Sequence, residues 1–342
     1  MTTTISEAIG SDPMATAMAF QPAKLLLTAV DLGVIESLAQ APASEQELRE
    51  RLDLHPRGTR DFLRALVALG VLTESRGRFQ NSPTVTALVR GGPAALDGFL
   101  RMADRVMYPA WSRLAEALRT GAPQAETYRG RDMFDELYSD QSKQDQLVRM
   151  AEDASRPLIP ALTERFDWST QKSVLELGGC RGNVLAGIVR AHRHLDAAVL
   201  DLPQLQPAFD AHMADLSMTG AVRFHAADFF TDPLPPADVV MIGHALVDWD
   251  DKQRQTLVRR IFPAVRPGGA LLIWDPIIVP GVDSYLRNLI RSINLQLMTP
   301  TGGGYHIEDC RRWLTDAGFA TVEQTSLGHD VTLVTAWKAG GP

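Results

Sequence analysis

The sequence predicts an α/β protein, in which an open, mostly parallel, doubly wound sheet follows a helical N-terminal domain of winged-helix type. From about residue 172 onward, short apolar runs alternate with amphipathic helical segments, which is typical of a parallel sheet covered by helices. Before that point, apolar residues recur mainly at helical spacing. The length of 342 residues is enough for two domains.

We divide the chain into three parts. Residues 1–95 are predicted to form the winged-helix-like domain, residues 96–165 a helical linker, and residues 166–342 a Rossmann-like domain. The linker is rich in methionine and aromatic residues, which can pack a core or line an adaptable small-molecule pocket.

The N-terminal part begins with a helical segment, from about residue 13 to 40, that is apolar on more than one face. Such a helix buries itself against a partner, either within the chain or in a second subunit. Ser44 and Glu47 are predicted to form a capping box at the start of the next helix. A second helix at about 57–69 and two short strands around a turn at 75–77 complete the winged-helix pattern.

The winged-helix pattern allows two interpretations, DNA binding and a scaffold for dimerisation. The formal net charge of the chain is -7, and the arginines of this segment are interleaved with acidic residues. Nucleic-acid binding requires a basic face that neutralises phosphates. We therefore favour the scaffold and expect no nucleic-acid partner.

The sequence also predicts the cellular location. No apolar stretch is long enough to span a bilayer, and the N-terminus lacks a charged segment followed by an apolar core. Cys180 and Cys310 give neither a disulfide framework nor the spacing of metal ligands. We expect a cytoplasmic protein that does not associate with membranes.

The second half of the chain has the alternation of a doubly wound sheet. Strands are predicted at 173–177, 197–202, 222–228, 237–243, 270–277, 320–326 and 331–337. Helices are predicted at 183–192, 204–215, 251–264, 283–298 and 307–317. The last two strands are separated by a short turn, so they can pair as a hairpin.

Ligands of a doubly wound sheet lie outside the carboxyl ends of its strands. The first strand ends in the segment ELGGCRG, in which Gly178 and Gly179 let the backbone turn and approach a ligand closely. The second strand ends at Asp201, which can accept two hydrogen bonds from a ribose diol. At the third strand end, Asp228 can accept from an adenine amine and Phe229 can pack on the ring.

These strand ends carry three carboxylates, Glu176, Asp201 and Asp228. Glu176 would repel the pyrophosphate of a dinucleotide, whereas it would hold an amino-acid ammonium group. The pattern therefore favours a cationic nucleoside, S-adenosylmethionine (SAM).

The chain resembles the class I SAM-dependent small-molecule O-methyltransferases of bacteria and plants, which carry an N-terminal winged-helix dimerisation domain. The matching stretches are VLELGGCRGN, VLDLPQL, FHAADFF, DWDD and PGGALLIWDPII. The resemblance extends over most of the chain from about residue 15. It implies a homodimer formed by residues 1–95, and a linker at 96–165 that serves as a lid lining the pocket of a small-molecule acceptor.

The resemblance and the strand ends together predict where SAM, and its product S-adenosylhomocysteine (SAH), would bind. The predicted cofactor-binding residues are Glu176, Gly178, Gly179, Asp201, Leu202, Asp228, Phe229 and Gly243. Two residues of the loop depart from the family pattern. Cys180 stands where a third glycine is usual. A residue other than glycine is tolerated there if its φ angle is negative, so we expect a negative φ at Cys180. Arg181 stands where a small or polar residue is usual, and it could either contact the SAM carboxylate or crowd the loop.

A third departure concerns the catalytic base. The family normally has a histidine before the Asp-Trp pair, where this chain has Val247. The partner carboxylate at the end of the fifth strand is Asp275, where plant relatives typically have glutamate. The candidate catalytic residues that remain are His244, Asp275 and His306.

Three interpretations stay open. The first is methyl transfer to an acceptor that needs no histidine at 247, namely a nitrogen, carbon, sulfur or acidic oxygen atom. The second is ordinary O-methylation with a relocated base, His244 or His306. The third is a relative that binds SAM without methylating, either cyclase-like or inactive. The spacing of His244, Asp275 and His306 matches no established ligand pattern, so no metal is predicted.

The acceptor pocket is expected between the helical linker and the strand ends. Its predicted substrate-binding residues are Met102, Trp111, Met150, Val247, Arg287, Asn294 and Met298. Arg287 could bind a substrate carboxylate, or it could be a solvated surface residue.

Overall fold

The computed structural model describes residues 12–90, 100–125 and 141–340. The chain divides into two compact units, Met1–Arg113 and Leu114–Pro342. The three-part division at residues 95 and 165 stays a prediction.

The first unit is mainly helical. Its elements are α1 (Pro13–Met18), α2 (Phe20–Asp31), α3 (Val34–Gln40), α4 (Glu45–Leu52), α5 (Pro56–Ala68), α6 (Pro83–Arg90), a π-helix (Ala103–Met107) and α7 (Tyr108–Ser112). The segment predicted as helical from 13 to 40 thus forms three helices. The last break lies at Gly33, whose φ of 74° no ordinary helix residue adopts.

A small antiparallel sheet completes this unit. Its strands are β1 (Ala43–Ser44), β2 (Leu72–Ser75) and β3 (Arg78–Asn81), in the order β1-β3-β2. Arg76 and Gly77 connect β2 to β3 with φ of 52° and 74°, the conformation that suits a tight hairpin. The capping box at the start of α4 is confirmed, since the Ser44 hydroxyl accepts from the Glu47 N–H and the Glu47 carboxylate accepts from the Ser44 N–H. The sequence analysis did not predict β1.

The core of the first unit joins its helices to the small sheet. It includes Val30, Val34, Leu48, Leu63, Leu66 and Phe79. Met14, Met18 and Phe20 remain exposed. Among the described residues, no single helix is long and apolar enough to cross a bilayer. Pro13–Asp31 and Val34–Gln40, bent by 56° relative to each other, reach that length and hydropathy only as a pair.

The second unit contains a mixed sheet of seven strands, in the order β6-β5-β4-β7-β8-β10-β9. The strands are β4 (Ser173–Leu177), β5 (Asp196–Asp201), β6 (Val222–Ala226), β7 (Ala237–Gly243), β8 (Val265–Asp275), β9 (Thr321–Gly328) and β10 (Val331–Trp337). The first five are parallel, and β10 runs antiparallel to both β8 and β9. The predicted doubly wound sheet and its terminal hairpin are therefore confirmed.

Helices cover both faces of this sheet. They are α8 (Leu114–Thr120), α9 (Gln141–Ser155), α10 (Ile159–Glu164), α11 (Asn183–Ala191), α12 (Gln206–Asp215), α13 (Asp251–Ala264), α14 (Tyr285–Met298) and α15 (Ile307–Ala317). One apolar core contains Leu257 of α13 and Trp313 of α15, and the other contains Leu162 of α10 and Leu185 of α11. Central strands such as β7 are buried on both sides, which explains their continuous apolar runs.

Several strand boundaries differ from the prediction, by up to five residues at the start of β8. β8 begins at Val265, whereas the predicted strand begins at 270. Gly268 and Gly269 were expected to form a turn before the strand, and they are instead part of it. A side chain at Gly269 would come within 2.1 Å of the Asp238 carbonyl oxygen, so only glycine allows this close backbone approach. β6 ends at Ala226, which places Asp228 in the following turn.

Candidate active site

An open cavity, with about 400 Å³ of empty space including space open to solvent, lies at the carboxyl ends of β4 and β7. Five predicted site residues line it, namely Glu176, Gly178, Gly179, Gly243 and His244. The other wall of the cavity is formed by α9, with residues such as Glu152 and Ser155. The sequence analysis placed this helix in the linker that lines a pocket, but it selected neither of these two residues.

The glycine loop between β4 and α11 leaves room for a ligand. Gly178 and Gly182 have φ of 69° and 78°. A side chain on Gly179 would stand 2.8 Å from a carboxylate oxygen of Glu176. The expectation of a negative φ at Cys180 is wrong: its φ is 52°, a conformation that costs about 1–2 kcal/mol in a residue other than glycine. This conformation directs the Cys180 N–H to the Asp201 carboxylate at 2.8 Å.

Glu176 is buried at the floor of the cavity, with 2% of its surface exposed. Its Oε2 atom has no hydrogen-bond partner among the described residues. Burial, and then the nearby charge of Asp201, raise the pKa of Glu176 to about 8. A cation bound beside this oxygen would offset the cost of ionising the carboxylate.

Asp201 holds the loop in place at the end of β5. Its two carboxylate oxygens accept from the backbone N–H groups of Cys180 and Leu202, each at 2.8 Å. Burial raises the pKa of Asp201 to about 6 despite these two hydrogen bonds. Each oxygen retains a lone pair, so the predicted hydrogen bonds to a ribose diol stay possible in chemical terms.

Asp228 and Phe229 lie at the next strand end, after β6. A carboxylate oxygen of Asp228 accepts from the Phe230 N–H at 2.7 Å. The Phe229 ring packs against Phe230, with 5.1 Å between ring centroids, and a side chain on Gly178 would contact the same ring at 3.8 Å. Phe229 therefore borders the glycine loop, although it does not line the cavity itself.

His244 lines the cavity in an unusual conformation. Its φ is 51°, and its Nε2 atom is buried without a hydrogen-bond partner in the part of the chain that the structure describes. The imidazole meets the Trp274 ring edge-on, with 4.9 Å between centroids. Burial, and then the charge of Arg291, lower the pKa of His244 to about 4. The side chain is therefore neutral over the physiological pH range.

Trp274 explains why a glycine precedes His244. A side chain on Gly243 would come within 1.8 Å of the Trp274 ring, so the indole occupies the space beside the backbone of β7. Gly243 was predicted as a cofactor contact. In the structure, its missing side chain leaves the space that the Trp274 ring occupies in the cavity wall.

Val247 lies in a 3-10 turn, Leu246–Asp248, and is 7% exposed. Its side chain belongs to the apolar cluster that includes Ile277 and Tyr305. Its carbonyl accepts from the Gly303 N–H at 2.8 Å. The position at which the resemblance implies a histidine is thus filled by an apolar side chain.

Asp275 is fully buried at the end of β8 and accepts a hydrogen bond from the Tyr305 hydroxyl at 2.7 Å. Burial raises the pKa of Asp275 to about 7. The Arg254 guanidinium lies over the Tyr305 ring, 5.0 Å from its centroid. Asp248, which the sequence analysis did not select, also has its pKa raised to about 7, by burial and then by the charge of Asp275.

His306 caps the start of α15 and pairs through its backbone with Ile278. It does not line the cavity that contains His244. Within residues 12–90, 100–125 and 141–340, no group of three or more His, Cys, Asp or Glu side chains is placed to hold a metal ion.

The predicted substrate-binding residues do not line this cavity. Arg287 instead forms two hydrogen bonds with the Asp330 carboxylate, at 2.6 and 2.9 Å, beside the β9–β10 hairpin. Met150 is 49% exposed, whereas Met298 is buried. Asn294 is half-buried on α14. Met102 and Trp111 belong to the first unit, and a substrate role for any of these residues stays a prediction.

The cavity suits the amino-acid end of SAM in its charge. The free Glu176 oxygen offers a site for the donor's cationic groups. The glycines at 178 and 179 leave space that any side chain would fill. Asp201 and Asp228 follow at the neighbouring strand ends, where a nucleoside would extend.

Comparisons with known proteins identify relatives of this chain. Residues 111–320 match the O-methyltransferase domain family, and residues 14–91 match the O-methyltransferase dimerisation domain. The tetracenomycin polyketide synthesis 8-O-methyl transferase TcmO of Streptomyces glaucescens is 41% identical, over 94% of each chain. The N,N-dimethyltransferase OxyT of Streptomyces rimosus is 36% identical, over 88% of each chain.

The fold is shared with a solved structure described as PigF with SAH. The TM-score is 0.84 at 23% identity, with 96% of this chain and 99% of the other covered. Together with the sequence matches, this supports SAM as the methyl donor. The chain belongs to the plant and bacterial type O-methyltransferase family with an N-terminal dimerisation domain, and it is a SAM-dependent methyltransferase.

Proposed function

We propose that this enzyme methylates a polyketide-type secondary metabolite at an atom that needs no histidine base at position 247. The substrate class follows from its relatives, one of which is named for tetracenomycin polyketide synthesis. The acceptor atom is a nitrogen, carbon or sulfur atom, or an acidic oxygen. A relative named as an N,N-dimethyltransferase supports acceptors other than oxygen.

The observation that carries this proposal is the buried Val247, which follows a neutral His244 by three residues. When bound, SAM supplies a methyl group already activated by its sulfonium, so alignment of the acceptor accounts for much of the rate. A general base adds roughly 10²–10⁴-fold when the acceptor must lose a proton. His244, with its pKa lowered to about 4 by burial, is a weak base for a phenol.

A second candidate is ordinary O-methylation with His244 or His306 as the base. His244 supports it by lining the cavity with an unpartnered Nε2 atom, as judged over the described residues. The relative named as an 8-O-methyl transferase supports it as well. A SAM-binding protein without methyl transfer is the remaining alternative, and none of the relatives described above supports it.

The experiment uses SAM with a labelled methyl group and a panel of phenols, amines and enolisable acids. We expect label transfer to an amine or acidic acceptor, with His244→Ala and His306→Ala each lowering kcat less than about tenfold. A loss of about 100-fold or more for either variant on a phenol would favour the relocated base. Absence of transfer to every acceptor, with SAM still bound, would favour the alternative that does not methylate.

We also propose that the enzyme is a cytoplasmic homodimer. The match to an O-methyltransferase dimerisation domain supports the dimer. Two free thiols, Cys180 and Cys310, support a reducing compartment. Fractionation of producing cells tests the location, and recovery outside the cytosolic fraction would contradict it.

A further inference from the structure

Helix α13, which connects β7 to β8, carries two arginines that donate to backbone carbonyls of other segments. They are Arg254 and Arg260, and each guanidinium donates to two carbonyl oxygens. The two residues are about 120° apart around the helix axis, so their side chains extend in different directions. Each arginine therefore holds a different part of the site.

Arg260 holds the turn that follows β6. Its Nε atom donates to the Phe229 carbonyl at 3.0 Å, and its Nη2 atom donates to the Asp232 carbonyl. The turn is also closed internally, since the Asp228 N–H donates to the Asp232 carboxylate at 2.8 Å. Asp228 and Phe229 are the residues predicted to contact the adenine of the donor. A shift of this turn would therefore move both predicted contacts together.

Arg254 holds the 3-10 turn that follows β7 and contains Val247. Its Nε atom donates to the Leu246 carbonyl at 2.8 Å, and its Nη2 atom donates to the Gly303 carbonyl. The Gly303 N–H donates in turn to the Val247 carbonyl at 2.8 Å. Arg254 and this backbone hydrogen bond thus join the turn to the loop between α14 and α15.

The Arg254 side chain is buried, with only 4% of the residue exposed. Its guanidinium lies over the rings of Tyr305 and Trp313, 5.0 and 5.9 Å from their centroids, and its Nη1 atom pairs with Asp251 at 3.2 Å. An apolar side chain of similar volume often stabilises a core at least as well as a buried charge. A buried arginine that donates to carbonyls of two separate segments is therefore better explained by the geometry it fixes than by stability.

We propose that the two arginines are positioning residues for opposite halves of the methyl transfer. Arg260 fixes the turn through which Asp228 and Phe229 hold the donor's adenosine. Arg254 fixes the turn that places Val247 beside the methyl acceptor, and this half rests on the proposed function. In the sheet order, β6 and β7 lie on opposite sides of β4, so the two turns flank the glycine loop.

The donor half is tested by calorimetry with SAH and with adenosine. We expect Arg260→Met to weaken both ligands by roughly 10-fold, because both carry the nucleoside that the displaced turn would contact. Arg254→Met should change neither affinity. Arg259→Met, which removes an exposed arginine of the same helix, is the matched control and should also change neither. A general loss of folded protein lowers the number of binding sites and leaves the affinity of the rest unchanged.

A double-mutant cycle shows whether Arg260 acts through Phe229. In the Phe229→Ala background, the further loss of SAH affinity caused by Arg260→Met should be smaller than in the unaltered protein, because a contact that Arg260 positions is already gone. Additive losses would show that Arg260 contributes independently of this contact, and they would overturn the donor half.

The acceptor half is tested by kinetics at saturating SAM, with an acceptor found in the labelled panel. We expect Arg254→Met to lower kcat/KM for the acceptor by about 10- to 100-fold, the range for a misplaced reactant, while the affinity for SAH stays unchanged. Arg254→Lys keeps the buried charge and should give an intermediate value, and it is the variant to measure if Arg254→Met does not fold. An unchanged kcat/KM, or an equal loss of SAH affinity, would overturn this half.

Hydrogen exchange followed by mass spectrometry tests the same division without an acceptor. Exchange around Gly303 should be faster in the Arg254 variants, and exchange over residues 230–232 should be faster in Arg260→Met. The proposal is overturned if each variant affects both segments alike, or if neither segment changes. Absence of label transfer by the unaltered enzyme would contradict the proposed function, whereas the SAH affinities and the exchange pattern decide the present proposal separately.

Discussion

At the scale of single residues, burial raises the pKa values of several carboxyl groups near the ends of the strands. The pKa of Glu176 is raised to about 8, that of Asp201 to about 6, and those of Asp248 and Asp275 to about 7. Burial is the largest cause in each case. Such acids bind protons more tightly in the folded than in the unfolded state.

The first prediction follows from the sign of this shift. Because the folded state retains the Glu176 proton up to about pH 8 and the unfolded state loses it near pH 4.5, Glu176 lowers stability progressively as pH rises between these values. We expect Glu176→Gln to gain stability relative to the unaltered protein across this window, in the absence of donor. Urea unfolding at several pH values measures it. Glu164→Gln, at the exposed end of α10, is the control. If it changed the pH dependence of the free energy of unfolding as much as Glu176→Gln does, the burial argument would be contradicted.

The second prediction concerns the same proton during binding. If the ammonium of SAH is received by Glu176, binding at pH 7 should release up to one proton, because the cation favours the carboxylate. Release should disappear well above pH 8, where the carboxyl is already ionised. Calorimetry in buffers of different ionisation enthalpy measures the number of protons. Undiminished release by Glu176→Gln would assign the proton to another group.

The third prediction concerns Tyr305, whose hydroxyl donates to Asp275 at 2.7 Å. Tyr305→Phe leaves that buried carboxyl without this partner, so we expect a loss of about 1–3 kcal/mol in the free energy of unfolding. Chemical denaturation measures it. Tyr285→Phe, on the half-buried start of α14, is the control and should cost less. An unchanged stability of Tyr305→Phe would show that the hydrogen bond contributes nothing net.

At the scale of elements, the strand-to-helix loop between β4 and α11 determines the shape of the donor site. Gly179 contributes through its missing side chain, since a Cβ there would meet the Glu176 carboxylate. Cys180 contributes through its backbone, which turns to Asp201 even though it is not a glycine. Only part of this loop's pattern therefore requires glycine.

The fourth prediction tests that requirement. We expect Gly179→Ala to weaken SAH binding about tenfold or more, because the methyl group would stand 2.8 Å from Oε2 of Glu176 and displace the carboxylate. Gly340→Ala is the control, since nothing lies within 4 Å of its added carbon. Isothermal titration of both variants measures the effect. Normal binding by Gly179→Ala would mean that the loop can move aside.

At the scale of the whole molecule, the match to a dimerisation domain and the exposed apolar residues of α1 and α2 point to self-association. Phe20 is 50% exposed and Met14 is 68% exposed, although both are large and apolar. Such side chains are usual where a second subunit covers them.

The fifth prediction is that the protein has twice the 37.5 kDa mass of its chain in solution. Phe20→Asp should shift this mass toward the monomer at low concentration, because a charge placed in an apolar interface is costly. Light scattering across a dilution series measures it. Leu118→Asp, at a residue that is 72% exposed in the second unit, is the control. A monomeric unaltered protein would refute the proposed homodimer.

Much of the fold could be predicted from the sequence because period and spacing are local properties. The alternation of apolar runs gave the seven strands of the larger sheet, and the residues at their ends included Glu176, Asp201 and Asp228. The Ser44 capping box was equally local, since both partners lie within four residues. The short strand β1 and the early start of β8 were missed, because each depends on a partner strand distant in the chain.

The sequence by itself determined which residues reach the carboxyl edge of the sheet, and that a valine stands before the Asp-Trp pair. Only the tertiary structure decided that Arg181 meets Glu152, that Arg287 pairs with Asp330, and that burial lowers the pKa of His244 to about 4. The physical reason is that the positions and end residues of the strands follow from local pattern. Burial and ion pairing depend on side chains that only folding brings together.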